Sequence, residues 1–153
     1  MTEVSKLVEV PPDAVFAVLA DGWQYAGWVV GSSHIRDVDE DWPAVGSRIH
    51  HSVGPWPFHI QDVTVVKAVE PGSFLKLEAR GWPLGAAEVG LTLAPHGEGR
   101  TRILMTERVV RGPGKVLPEP VQALVAKPRN NEALARLADL VTGKYANRKN
   151  AQP

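Results

Sequence analysis

Apolar and polar positions alternate with a period of two through most of this chain, and the rhythm then turns helical. Residues 3 to 10 predict a first strand. Pro11 and Pro12 end it, and Asp13 suits the first turn of a helix. Val15, Phe16, Val18 and Leu19 mark a short amphipathic helix, broken at Asp21-Gly22, and residues 23 to 28 predict a second short helical piece. Six strand-like runs then follow in succession between residues 29 and 112. The first covers residues 29 to 38 and leads into the acidic loop Asp39-Glu40-Asp41-Trp42-Pro43. A long helical pattern closes the chain over about residues 118 to 142.

The turns set the middle strands in register. Turn signals lie at Gly54-Pro55-Trp56-Pro57, Glu70-Pro71-Gly72-Ser73, Gly81-Trp82-Pro83-Leu84-Gly85 and Pro95-His96-Gly97-Glu98-Gly99. Side chains alternate across a strand, so one parity choice propagates through every hairpin. Placing Arg100, Arg102 and Arg108 in water sends Thr101, Ile103, Met105, Glu107 and Val109 inward. Pairing back sends Ala87, Val89, Leu91 and Leu93 inward, then Leu75, Leu77 and Ala79, and leaves Lys76, Glu78 and Arg80 outside. The strand before offers Phe58, Ile60, Asp62, Thr64, Val66 and Ala68. The one before that offers Ser47, Ile49, His51 and Val53. Four hairpins agree with this one assignment, and charged residues mostly land outside.

Three inward positions break the apolar rule: His51, Asp62 and Glu107. An unpaired buried carboxylate is costly. By this register Glu107, Ala87, Ala79, Thr64 and Ser47 share one height across the sheet, with Asp62 one step away. Asp62, Thr64, Ser47 and Glu107 are then expected as a polar patch at one end, and His51 nearer the other end of its strand.

The last helix is expected to start near Pro118. Val121, Leu124, Val125, Leu134, Leu137, Ala138 and Val141 are read as its apolar face. Pro128 lies inside it and is expected to kink or split it. Gly143 is read as its cap, and residues 144 to 153 as a polar, frayed tail. The fold class is α+β, a curved sheet gripping a helix. A seven-stranded curved antiparallel sheet wraps a long C-terminal helix, with two short helices between strands 1 and 2. Residues 1 to 143 make one ligand-binding domain, and the gap between sheet and helix is a ready-made apolar cavity.

Over about residues 3 to 143 the chain resembles the START-like superfamily, also called the Bet v 1-like or polyketide cyclase/dehydrase and lipid-transport group. The resemblance rests on the element order and on four stretches: VEVPPDAVFAVLAD, VVKAVEPGSFLKLEA, GRTRILMTE and RNNEALARLADLV. It implies a helix-grip fold with a hydrophobic ligand cavity. Members include lipid carriers, hormone receptors and aromatase/cyclases, with no shared catalytic set, so no catalytic residue carries over. The resemblance also sets the short helix pair, with Trp23 and Trp28, beside the cavity mouth.

At 153 residues and 44% hydrophobic, the chain has the size of one domain with a substantial core. Its 17 basic and 17 acidic residues give no global case for nucleic-acid binding. The charge is uneven, with nine basic and three acidic residues from Arg108 onward. That basic end either stays solvated and complements the helix dipole or gives a weak preference for an anionic or membrane surface. With no cysteine, disulfides and thiolate chemistry are excluded. The N-terminus carries Glu3 and Glu9 and reads as no signal peptide, and no apolar run approaches the roughly 20 residues of a membrane span. A cytoplasmic location is the expectation.

The candidate chemistry is sparse. His50 and His51 are adjacent on a strand and point to opposite faces, so no metal site is expected, and no cofactor. His51 is either a satisfied core histidine or a cavity hydrogen-bonding group and proton carrier. Glu107 either pairs with a basic residue of the first strand or last helix, or holds a ligand hydroxyl, or acts as a general base. Asp62 either bonds backbone at a strand irregularity or faces the ligand. No nucleophile elbow, phosphate loop or dinucleotide fingerprint is present. The expected function is binding or carriage of a small hydrophobic ligand, aromatic or lipid-like. Ile60, Leu77, Val89, Met105 and Leu124 would supply apolar walls, and His51, Asp62, Thr64 and Glu107 the polar contacts. The alternatives are a polyketide cyclase or dehydratase using Glu107 or His51, and an interaction domain with a collapsed cavity. The expected assembly is a monomer or weak homodimer, without stable membrane insertion.

Overall fold

The computed structural model describes residues 1–30, 32–53, 60–81 and 85–151. The expected turns at Gly54-Pro55-Trp56-Pro57 and around Trp82-Pro83-Leu84, and the inward Phe58, lie outside the described residues. So does the side chain of Ile60.

The chain runs β1 (Thr2–Val8), α1 (Pro12–Leu19), a single 3-10 turn (Gly22–Gln24), α2 (Tyr25–Trp28), β2 (Ser32–Val38), β3 (Arg48–Val53), β4 (Ile60–Glu70), β5 (Phe74–Gly81), β6 (Gly85–Pro95) and β7 (Thr101–Arg111). A second 3-10 turn (Pro113–Val116) leads into α3 (Glu119–Ala151). Among the described residues, seven strands form one antiparallel sheet in the order β1-β7-β6-β5-β4-β3-β2. This is the helix-grip arrangement expected from the sequence. The second strand starts later than expected. Val29 instead closes α2, with its N–H donating to the Tyr25 carbonyl at 2.9 Å.

The parity assignment matches the observed burial. Thr101, Ile103, Met105 and Glu107 of β7 are buried, and Arg102 and Arg108 are exposed. Leu75, Leu77, Val89, Leu91, Leu93 and Ile49 join the same core. Glu78 faces outward, yet it is buried beneath Lys67, Arg80 and Arg111, all three of which pair with it. Ala68 is corrected: the register shifts between Val66 and Ala68, and Val69 instead lies opposite Leu75 and packs against the core.

Heights differ where parity does not. Glu107 lies opposite Val89, not Ala87, and Thr64 opposite Ile49, not Ser47. Each is a slip of two residues, which leaves the facing unchanged. In the β6–β7 hairpin the extra length has a visible cause. The ladder stops at the pair Pro95 and Thr101, and His96 N–H donates to the Arg100 carbonyl at 3.0 Å. Gly97 and Gly99 each adopt φ 73° inside that turn, a left-handed conformation that costs glycine little.

The last helix needs the largest correction. It continues through Pro128 and past Gly143 to Ala151, so neither residue ends it. Its expected single apolar face is two faces. At about 100° per residue, Val121, Leu124 and Val125 lie roughly half a turn from Leu134, Leu137 and Val141. Leu134, Leu137 and Val141 are buried at 1% or less, whereas Leu124 is 76% exposed and Val125 61%. The two faces should respond differently to truncation. Leu134→Ala is expected to cost about 2–5 kcal/mol, and Leu124→Ala to stay within about 0.5 kcal/mol, in denaturant unfolding. Equal costs would mean that Leu124 is packed as Leu134 is.

Candidate functional site

A cavity of about 220 Å³ lies between the inner face of the sheet and the helices α2 and α3. Its sheet wall carries Leu77, Ala79, Val89, Met105, Glu107 and Val109, and β3 adds His51. Tyr25 and Trp28 of α2 line another side, and Arg129, Asn130 and Ala133 of α3 the last. The lining follows from the pattern: period-two positions of the strands and one turn of the buried helix face converge on the same space.

Most polar side chains of the cavity belong to two constellations. In the first, Tyr25, Thr64 and His51 are linked. The Tyr25 hydroxyl and Thr64 Oγ1 are 2.9 Å apart, and His51 Nε2 lies 2.9 Å from the same Oγ1. Thr64 is fully buried just behind the lining. The Tyr25 and His51 rings stack, 5.7 Å between centroids and 29° between planes, and Trp28 meets Tyr25 edge-on at 5.5 Å. Burial pushes the Tyr25 hydroxyl up to about 12; the Thr64 hydrogen bond opposes this and the charge of Glu107 adds to it. Burial also holds the His51 imidazole below its ordinary range. Asp62 opposes that shift, while Arg36 and His50 reinforce it.

In the second constellation, Glu107 Oε2 accepts from Arg129 Nη2, which ties β7 to α3. This is the pairing with the last helix that was one expectation for Glu107. Asn130 stands beside it, 2% exposed, with its amide nitrogen unpartnered among the described residues. His51 Nδ1 is likewise buried without a partner among the described residues. Among the described residues no group of three or more histidine or acidic side chains could hold a metal ion.

The structure brings Trp28, His51, Leu77, Val89, Met105 and Glu107 to one cavity, with Thr64 bonded behind them. Trp23 does not reach it: at 57% exposure it projects into water, while its backbone N–H donates to the Asp21 carboxylate. Leu124 is on the outer face of α3 for the helical-phase reason given above. Asp62 lies opposite His51 in the ladder, and its carboxylate accepts from the Val63 N–H at 2.8 Å; it is not among the lining residues. Ile60 opens β4, but its side chain lies outside the described residues. The expected patch of Asp62, Thr64, Ser47 and Glu107 does not form, because the two-residue slips separate its members and Ser47 Oγ donates to the Ala44 carbonyl.

Sequence reasoning passed over Tyr25, Arg129 and Asn130. Tyr25 sits between the two tryptophans that drew attention. Asn130 carried a usable signal, since it falls at helical spacing from Ala126, Ala133 and Leu137 and is polar among buried positions.

The family model for polyketide cyclase / dehydrase and lipid transport matches residues 2–142. The chain belongs to this family. No curated protein matches the sequence. Solved structures of the same fold include a Staphylococcus aureus protein of unknown function at 9% identity and TM-score 0.72, covering 95% of this chain and 94% of that one. Ara h 8.0201 matches at 16% identity and TM-score 0.65, over 92% and 96%. DynU16, a putative protein in the dynemicin biosynthetic locus, matches at 21% and 0.64, over 92% of this chain and 46% of its own. At these identities the likeness to solved structures shows the fold alone. No helix among the described residues is long and apolar enough to cross a membrane.

The buried imidazole has a consequence for stability. Its folded pKa is depressed, so the unfolded chain binds the proton more readily. The contribution is full above the unfolded value of about 6.5 and is lost as pH falls below it. Denaturant unfolding between about pH 5 and 7.5 should therefore show stability declining toward acid, and His51→Phe should flatten that slope. An unchanged slope in the variant would show that His51 protonates alike in both states.

Proposed function

We propose that this protein binds and carries a small, mainly apolar ligand in the cavity between sheet and α3, as a monomer or weak homodimer. The observation that supports this reading is the cavity itself: a space walled by Trp28, Leu77, Val89, Met105 and Ala133, with only a few polar side chains turned toward it. That is the make-up of a small-molecule site, in which apolar burial supplies affinity and a few polar groups set orientation. A cavity of about 220 Å³ suits a small molecule. Membership of a family described by polyketide cyclisation and lipid transport is consistent with it.

A second reading is conversion of the ligand, favoured by the Tyr25–Thr64–His51 chain, which is a continuous path for a proton. Glu107 is the weaker acid–base candidate, because its carboxylate is engaged by Arg129.

Native mass spectrometry of the purified protein is the first experiment, since a co-purified molecule identifies the ligand directly. Occupancy of the cavity is tested by titration with naphthalene, followed through amide shifts of Trp28, Val89, Met105 and Ala133. Ala133→Phe fills the space from the helix side and should weaken binding at least tenfold with the fold retained. Binding that survives this change would place the ligand elsewhere. Glu107→Gln keeps the shape and removes the charge. Carriage predicts a modest loss of affinity for a neutral ligand, with about 1–3 kcal/mol of stability lost with the Arg129 bond. Retained binding with a hundredfold or greater fall in turnover of the identified ligand would instead mark an enzyme with Glu107 as its base.

A further inference from the structure

The long helix carries a second apolar face, on the side turned away from the sheet. Val121, Leu124, Val125 and Pro128 are all exposed there. At about 100° per residue the four fall within roughly 100° of arc, a single stripe along the outer side of α3. Val116 and Leu117, where the second 3-10 turn meets the helix, extend it. The five large aliphatic side chains of this run are between 40% and 84% exposed. One exposed Leu needs no explanation, but an unbroken run of them does. Together they leave on the order of 500 Å² of apolar surface in water, toward the upper end of what a soluble monomer exposes in one patch.

The two ends of the stripe carry opposite charges. Lys115 is exposed in the turn before it. Glu132 is exposed at its far end, about 30° from its axis, with Arg136 one turn further on at 3.1 Å. The other charged side chains of the segment lie off the stripe. Lys127 is about 110° round the helix. Glu119 is almost opposite and pairs with the N-terminal amine at 3.0 Å. A partner that covers the stripe has to be apolar in its middle, acidic where it meets Lys115 and basic where it meets Glu132. An anionic lipid surface repels Glu132. The same segment of a second copy, laid antiparallel, supplies the whole pattern. A two-fold axis near residues 123 and 124 sets the apolar side chains against their own equivalents, and each Lys115 beside the partner's Glu132. Two copies cover about twice the area of one stripe, near the roughly 1,000 Å² at which a specific interface begins, so the association is weak.

We propose that this protein forms a weak two-fold homodimer in which the outer stripes of two α3 helices, from Leu117 to Pro128, pack antiparallel, with Lys115 of each copy paired to the partner's Glu132. The proposal concerns the outer side of α3 and does not depend on what the cavity holds.

The test is sedimentation velocity of the intact chain, from about 1 μM to about 1 mM, the range that suits an interface of this size. The sedimentation coefficient should rise from the monomer value toward the dimer value across that range. Leu124→Lys sets a charge in the middle of the stripe and should weaken association at least tenfold. Leu124 is exposed in the single chain, so the fold is retained, and circular dichroism checks it. The charge pairing has a sharper test. Lys115→Glu and Glu132→Lys each place like charges at both ends of the interface, and each alone should associate about three- to tenfold more weakly at low salt. Mixed in equal amounts, the two variants match both ends again, and the mixture should recover the wild-type affinity. Salt should shrink these differences. A wild type that stays monomeric at about 1 mM would overturn the proposal. So would a dimer indifferent to Leu124→Lys, which is built on another face. Charge variants that associate alike alone and mixed would rule out the antiparallel pairing. Binding of a monomeric wild type to phosphatidylserine vesicles, lost in Leu124→Lys, would make the stripe a membrane contact and overturn the proposal as well.

Discussion

One helix is too narrow to cover this sheet, and the site follows from that mismatch. Seven strands at about 4.8 Å spacing make a surface near 29 Å wide, whereas a helix with its side chains is about 10–12 Å across. The inner face of β4 to β7 is apolar at every second residue and has to leave water. Curling the sheet around α3 and laying α1 and α2 over the other side removes most of it. Val15, Val18 and Leu19 of α1 and Tyr25 and Trp28 of α2 are accordingly part of the same core as Leu137 and Ile103. What the three helices leave uncovered is the cavity.

The polar groups of that cavity are placed as a low-dielectric space requires. A charge is accepted where it is matched: Glu107 meets Arg129, which reaches in from a half-exposed position and so keeps part of its hydration. His51 has no such partner, and its ring stays neutral, stacked on Tyr25 and bonded to Thr64. The Glu107–Arg129 pair is also one of the polar ties between sheet and long helix. Its geometry therefore couples the width of the cavity to the position of α3.

Parity and height were legible to different degrees because they depend on different things. The inward set on β7, Thr101, Ile103, Met105 and Glu107, follows from alternation alone, and a single-residue error would put Arg102 in the core. A two-residue slip violates no such rule. Glu107 can face Ala87 or Val89 with the same burial, and only the length of the turn containing Gly97 and Gly99 decides. The fold was accordingly readable from the chain, along with most of the residues of the sheet wall. The grouping of polar side chains was not, since Thr64 joins His51 and Tyr25, not Ser47 and Glu107. Tyr25 and Asn130 were missed because their roles arise only when α2 and α3 meet the sheet.

The long helix shows the same limit from the other side. Summing apolar residues at helical spacing merged Val121, Leu124 and Val125 with Leu134, Leu137 and Val141, although the two groups are about half a turn apart in phase. Period alone does not fix which side of a helix meets the core when apolar residues occupy two sides. Burial does: Ala126, Asn130, Ala133 and Leu137 face inward, and Asn130 is the one polar member of that run. A helix packed only to close a core would favour an apolar side chain at position 130, because a buried amide with an open valence destabilises the empty protein. A count of apolar residues along the helix accordingly passes over it.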